Sequence, residues 1–212
     1  MLINNKKSLF LYAIHLNYTY MKQSTKKERF FEETLKLIHA KGFKATTMRD
    51  IAQKLNFEVA NVYNYIDSKQ ALLELYLFDI SKEFHTAIDL ILDSTYAPDE
   101  KLRLVMSSYI QITANRPYEQ ALLINEWRNL KEPKLQEFID SRKDYENKLK
   151  TVILAGVEQG QFRTMNLDLA TQTIMATMRW LYTSYIDSEI EINTVEIEKQ
   201  LTDFVFSGVS KG

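Results

Sequence analysis

The side chains best suited to polar recognition gather in one stretch near the N-terminus. Thr46 and Thr47 stand where an apolar-periodic segment begins, so their hydroxyls and the adjoining backbone N–H groups fall at the positive end of a helix dipole. Tyr63 supplies a phenol at the end of the next short segment, and Lys69 an ammonium in the first turn of the one after. A cation in a first turn is disfavoured by the dipole, and an oxyanion beside it reverses that penalty. Hydroxyl, amide, phenol and ammonium are the donors that bind phosphodiester oxygens, and Arg49 is placed with them. Such contacts fix position on a polyanion without reading its sequence. Val59, Ala60, Asn61 and Asn64 are the candidates for reading bases: Asn61 can bond adenine, while Val59 and Ala60 can touch a thymine methyl. Their segment has no Arg or Lys, so the usual guanine contact is missing and the target should lean towards A and T.

Three helices must hold these groups. Ser24 or Thr25 can cap a first helix running to about Lys41, with Phe31, Leu35 and Ile38 as its buried stripe and Gly42 just beyond its end. Thr46 or Thr47 opens a second helix, in which Thr47 and Asp50 have the spacing of a capping box and Met48, Ile51, Ala52 and Leu55 form the apolar face. Asn56 then breaks the pattern, and Asn tolerates the left-handed conformation of a tight turn. The spacing predicts a third helix over about 58–65, with Val62 and Ile66 inward, and a fourth capped by Ser68. Two short helices joined by a tight turn, behind a supporting helix, are a helix-turn-helix.

The run Gly42-Phe43-Lys44-Ala45-Thr46-Thr47-Met48-Arg49-Asp50-Ile51-Ala52, followed by Val62-Tyr63-Asn64-Tyr65-Ile66-Asp67-Ser68-Lys69, resembles the TetR/AcrR family of bacterial regulators. The likeness covers about Lys26 to Leu77. It implies that the Thr46, Thr47, Tyr63 and Lys69 positions clamp a DNA backbone, and that a homodimer binds a palindromic double-stranded operator, a two-fold protein on a two-fold site. Three positions depart from the pattern. Asn56 stands where glycine is typical, Glu58 replaces a Ser or Thr cap and brings negative charge near phosphates, and Ile66 replaces an aromatic.

Five more helices are predicted over about 99–115, 117–130, 133–160, 168–187 and 194–207, making an all-α chain of about nine. The expected division is a helix-turn-helix domain over 22–70 and a ligand-binding and dimerisation domain over 71–212, joined within the fourth helix. Met106, Tyr109, Trp127, Arg128, Met175 and Arg179 are the expected contacts of a small hydrophobic or amphipathic effector, in an apolar pocket with few polar groups. The stretches Asn125–Arg128 and Glu158–Arg163 look like those of family members that answer to fatty acyl thioesters. Two stripes look built for a dimer bundle, with an intramolecular core as the alternative: Ala170, Ile174, Thr177, Leu181 and Ser184, then Ile197, Leu201, Phe204 and Gly208.

Composition narrows the alternatives. With no cysteine, thiolate nucleophiles, thiolate metal sites and disulfides are excluded, and His15, His39 and His85 are too far apart for a ligand pair. No phosphate-cradling glycine loop or triad is present, so the chain reads as no enzyme and calls for no cofactor. Residues 22–70 carry ten Lys and Arg against six Asp and Glu, whereas 71–212 carry fifteen against twenty-two, so the basic N-terminal part is the one fitted to a polyanion. Residues 1–21 read as an extension ahead of a start at Met21. Leu9–Ile14 is too short to span a bilayer, so no membrane partner and a cytoplasmic place are expected. The competing reading is a helical protein-interaction module or co-regulator without DNA binding.

Overall fold

The computed structural model describes residues 25–187 and 193–211, and the expected extension over 1–21 lies outside them. Among the described residues the chain forms ten α-helices, one 3-10 turn and no strand. The first four are α1 (Lys26–Lys41), α2 (Met48–Leu55), α3 (Val59–Val62) and α4 (Lys69–Leu92). Then come α5 (Pro98–Asn115), α6 (Pro117–Asn125), the 3-10 turn Trp127–Asn129 and α7 (Lys134–Glu158). The last are α8 (Leu167–Arg179), α9 (Leu181–Asp187) and α10 (Thr194–Val209).

Local chemistry sets the boundaries of the first helices. Thr25 and Glu28 form a reciprocal capping box on α1, and Gly42 ends it at φ 81°. Asn56 takes the left-handed turn at φ 56°, ψ 43° and closes α2 through its own N–H to the Ala52 and Gln53 carbonyls. The third helix is shorter than its spacing predicts. Beyond Val62 the chain tightens into i→i+3 turns, Asn64 N–H to Asn61 O and Tyr65 N–H to Val62 O. It must leave the helix early, because Ile66 is drawn into the core and Ser68 must be extended to cap α4.

Helix α4 runs 24 residues, about 36 Å at 1.5 Å per residue. Its first turns bury Leu72, Leu73 and Leu77 in one core with Phe30, Ile38, Ile51 and Val62. Its later turns bury Ile80, Phe84, Ile88 and Ile91 in a second core with α5, α7 and α8. The expected division at residue 70 therefore falls inside a helix that both cores share. Moreover, the first core is closed by Leu122, Leu130 and Phe138, all from beyond that division. The reading head and the rest of the chain pack as one continuous body there.

Two predicted helices come out in pieces. The one over 117–130 ends at Asn125 and resumes as the 3-10 turn. The one over 168–187 breaks at Trp180, where the Thr177 and Thr183 hydroxyls bond back to the Ile174 and Trp180 carbonyls and compete with the helical ladder. The dimer-or-core stripes divide between both uses. Ile174 and Leu181 are buried in the chain's own core, while Ala170, Thr177, Phe204 and Gly208 line an open groove with Leu169. Leu169 and Phe204 are 68% and 70% exposed there, an apolar patch open to water.

The base of α7 depends on a glycine. A Cβ on Gly156 would lie 2.2 Å from Phe162 Cδ2, and Phe162 is itself buried and edge-on to Phe206. Gly156→Ala should cost about 1–3 kcal/mol through overpacking. Circular dichroism melts should show it as a fall of roughly 2–4 °C per kcal/mol.

Candidate nucleic-acid interface and effector cavity

On the reading head, Thr47, Arg49, Ala60, Asn61, Tyr63 and Asn64 are exposed and Val59 is half-buried. The Tyr63 ring is 52% exposed, and its hydroxyl has no hydrogen bond among the described residues. Glu58 caps α3 without a side-chain hydrogen bond, as its chemistry implies. Asn61 and Asn64 share a groove with Lys26, Arg29 and Asn56. Sequence reasoning misses Lys26 and Arg29; their place in the first turn of α1, where dipole complementarity disfavours cations, is the signal that could have found them.

Two expected phosphate ligands are corrected. Thr46 is fully buried and its hydroxyl donates to Gly42 O at 2.9 Å, so it braces the loop before α2 instead of facing solvent. The Lys69 ammonium donates to Phe43 O at 2.7 Å, Thr46 O at 2.7 Å and Lys44 O at 3.2 Å, and lies 4.5 Å from the Phe43 ring centroid. Three carbonyls engage its three protons, so Lys69 here clasps the α1–α2 loop. That loop also offsets the dipole penalty the sequence exposed, with carbonyl oxygens in place of phosphate. Thr47 is exposed, but its hydroxyl donates to Asp50 Oδ2 at 2.7 Å. The Lys41 ammonium, 2.7 Å from Asp50, and the Thr47 donors hold that carboxyl at a pKa of about 2. A lowered carboxylate pKa stabilises the fold above the ordinary range, so this cap should be lost only as pH falls towards 2.

A cavity of about 50 Å³ lies between α4, α5, α6, α7 and α8, lined by Phe84, Tyr109, Leu123, Ile124, Phe138 and Tyr145 among others. Of the expected effector contacts, Tyr109, Met175 and Arg179 line it. Met106 does not: it is sealed in the core at 0% exposure. Trp127 and Arg128 also stay off the wall; the Arg128 and Arg142 guanidinium carbons sit 4.4 and 4.8 Å from the Trp127 ring centroid. Ser81, His85, Arg142 and Glu146 complete the lining and are not foreseen from the sequence, since each reads locally as an ordinary polar residue of a long helix. Burial, then the Lys148 ammonium, pushes the His85 imidazole down, and burial pushes the Tyr109 phenol up to about 12.

Helix α6 joins cavity to reading head. Its first turn is pinned at Arg116, which donates to Asp79 at 2.6 Å and Glu83 at 2.9 Å on α4 and to Glu119 at 3.2 Å. Its far end puts Leu123 and Ile124 on the cavity wall. Directly after it, Glu126 accepts the Phe43 backbone N–H at 3.1 Å across 83 residues of sequence, with its other oxygen taking Asn129 Nδ2 at 2.6 Å. The Phe43 N–H is therefore held by the cavity's side of the molecule, and the Phe43 carbonyl by Lys69.

Residues 30–76 match the family described as "Bacterial regulatory proteins, tetR family", and residues 95–209, more than half the chain, match "Tetracyclin repressor-like, C-terminal domain". The chain belongs to the TetR family. It is 25% identical over 173 residues to the HTH-type transcriptional repressor KstR2 of Mycolicibacterium smegmatis, covering 81% of this chain and 84% of that one. The structure of the ketosteroid transcriptional regulator KstR2 of Mycobacterium tuberculosis superposes with a TM-score of 0.81 at 20% identity, covering 90% and 98%. AibR in complex with isovaleryl coenzyme A and operator DNA gives 0.72 at 19% identity, covering 86% and 98%. These structural likenesses show the shared fold. No described helix is long and apolar enough to cross a membrane.

The different duties of Tyr63 and Lys69 can be separated. Tyr63→Phe should leave the melting temperature unchanged and weaken DNA binding about fivefold, the worth of one hydrogen bond near 1 kcal/mol. Lys69→Ala should lower the melting temperature by several degrees, since it strips an ammonium from three carbonyls at a cost of roughly 2 kcal/mol. Thermal melts beside fluorescence anisotropy on DNA from upstream of the protein's own gene would check both.

Proposed function

We propose that this TetR-family protein is a cytoplasmic, one-component repressor that binds a palindromic operator as a homodimer and is released by a small hydrophobic or amphipathic effector. On the reading head, Thr47, Arg49 and Tyr63 hold the DNA backbone while Ala60, Asn61 and Asn64, beside Val59, face the bases. Lys26 and Arg29 extend the basic flank along their shared groove. Dimerisation uses the groove of α8 and α10, where Leu169 and Phe204 are exposed; a second copy covering them removes apolar surface from water.

The observation that carries the regulatory reading is that α6 contributes both to the cavity wall and, through Glu126, to the loop that precedes the DNA-facing Thr47. The cavity is far smaller than the roughly 300–1,000 Å³ of a ligand pocket. An effector must therefore push its walls apart. With its first turn pinned at Arg116, α6 gives way at its far end, and Glu126 moves off Phe43. The loop then keeps Lys69 but loses its bond to the cavity side, and the head changes its set on the duplex. The ligand shifts the equilibrium only by its preference for the widened state. A fatty acyl thioester is one such ligand class, supported by the isovaleryl coenzyme A that AibR holds in its complex with operator DNA.

Gel-shift titration on the upstream region tests the whole reading, and absence of binding even at low salt would remove it, because electrostatic association persists there. Glu126→Ala tests the linkage. It should keep effector binding yet shrink the effector's influence on DNA affinity, whereas an unaltered effector response would show that the signal travels another way.

A further inference from the structure

The polar groups around the cavity are badly balanced. Arg142 and Arg179 both line it, with Arg128 close enough to Arg142 to repel it, and Glu146 is the one carboxylate among the lining residues. That carboxylate bonds Arg179 at 3.3 Å. Arg142 Nη1 is buried and has no hydrogen-bond partner among the described residues. A guanidinium edge shut away from water without an acceptor is costly, and burial followed by the Arg179 charge disfavours its protonated form. Tyr109 lines the same cavity and is paired with Gln120, whose Nε2 lies 2.5 Å from its hydroxyl while Gln120 Oε1 is buried without a partner among the described residues. Packing explains the aromatic walls, but it does not explain an orphaned guanidinium nitrogen and an excess of positive charge at the same cavity.

Resting on the effector reading above, we infer that Arg142 and Arg179 form an oxyanion subsite, so that the effector carries an anionic group held there while its apolar part lies against Phe84, Phe138 and Tyr145. An uncommitted guanidinium nitrogen presents a charged donor that an oxyanion matches, and the neighbouring Arg179 adds a second positive charge. The incoming negative charge cancels the arginine repulsion as it satisfies the orphaned donor. The oxyanion can be the carboxylate of a free acid or a phosphate on the nucleotide arm of a thioester.

The test uses the full chain with Trp180→Phe, so that Trp127, stacked on Arg142, reports binding by fluorescence. The ligands are straight-chain acids of six to sixteen carbons, their methyl esters, the matching coenzyme A thioesters, and the phosphate-free N-acetylcysteamine thioesters. A carboxylate source predicts acids binding about tenfold tighter than esters, and Arg142→Met erasing that gap while leaving ester binding intact, which also shows the variant folded. A phosphate source predicts the same tenfold gap between the two thioester series, again erased by Arg142→Met. If charged and uncharged members bind alike, or if Arg142→Met leaves both gaps in place, the subsite is wrong while the effector reading stands. If no member of any series binds, the subsite falls. If in addition none of them alters the gel shift, the effector reading falls with it.

Discussion

One peptide unit ties the two halves of this protein together. The N–H of Phe43 is held by Glu126, from just beyond α6, and its carbonyl by Lys69, from the first turn of α4. Phe43 itself is buried in the N-terminal core, with its ring under the Lys69 ammonium. Each bond to a charged partner is worth about 1.5–3 kcal/mol, a sizeable share of a stability of roughly 5–15 kcal/mol. The loop from Gly42 to Thr47 is braced within itself only by Thr46, whose N–H and hydroxyl both bond the Gly42 carbonyl. Its position is therefore set by one residue from each neighbouring body. Three residues after Phe43 come the buried Thr46 and then Thr47, the cap of α2, so the set of the DNA-facing helices inherits whatever happens to that peptide.

The cavity gives the joint its purpose. A cavity of about 50 Å³ holds a few waters at most, and its lining includes flexible groups such as Met175 and Leu123 that can yield. Close-packed interiors do not deform smoothly; they change between discrete packings. Of the five helices around the cavity, α6 is the short one, nine residues long, and it is anchored by ion pairs at one end. Its other end runs into the Glu126 carboxylate. A wedge between α6 and α7 thus has a direct mechanical route to Phe43 without any long chain of intermediates.

Much of this was legible in the residues. The capping spacing at Thr25 and Thr47 and the left-handed Asn56 are local features that appear as read, while the α1 stripe is turned by one residue, sealing Phe30 with Leu35 and Ile38 and leaving Phe31 half-buried. Glu58 and Ile66, which with Asn56 are the three departures in the motif, also behave as their side-chain chemistry implies. What escaped reading is non-local. Lys69 in a first turn announced an unpaired cation, but its partner carbonyls lie 23 to 26 residues away and could not be told from a phosphate. Thr46 and Thr47 are neighbours with the same hydroxyl, and only the fold decides that one is sealed and the other exposed. Arg142 and Glu146 lie in a charged helix face where nothing in the spacing marks a cavity wall, and Met106 looked like pocket lining because apolar periodicity does not distinguish a wall from a core.

Amide hydrogen exchange at Phe43, read residue by residue with the cavity empty and then filled by whichever ligand saturates it, probes the joint most directly. Exchange should be slow in the free protein and accelerate markedly at Phe43 on filling, with Ile51 and Val62 in the reading-head core unaltered. Equal protection at Phe43 in both states would contradict the coupling, because the cavity could then change without the loop feeling it.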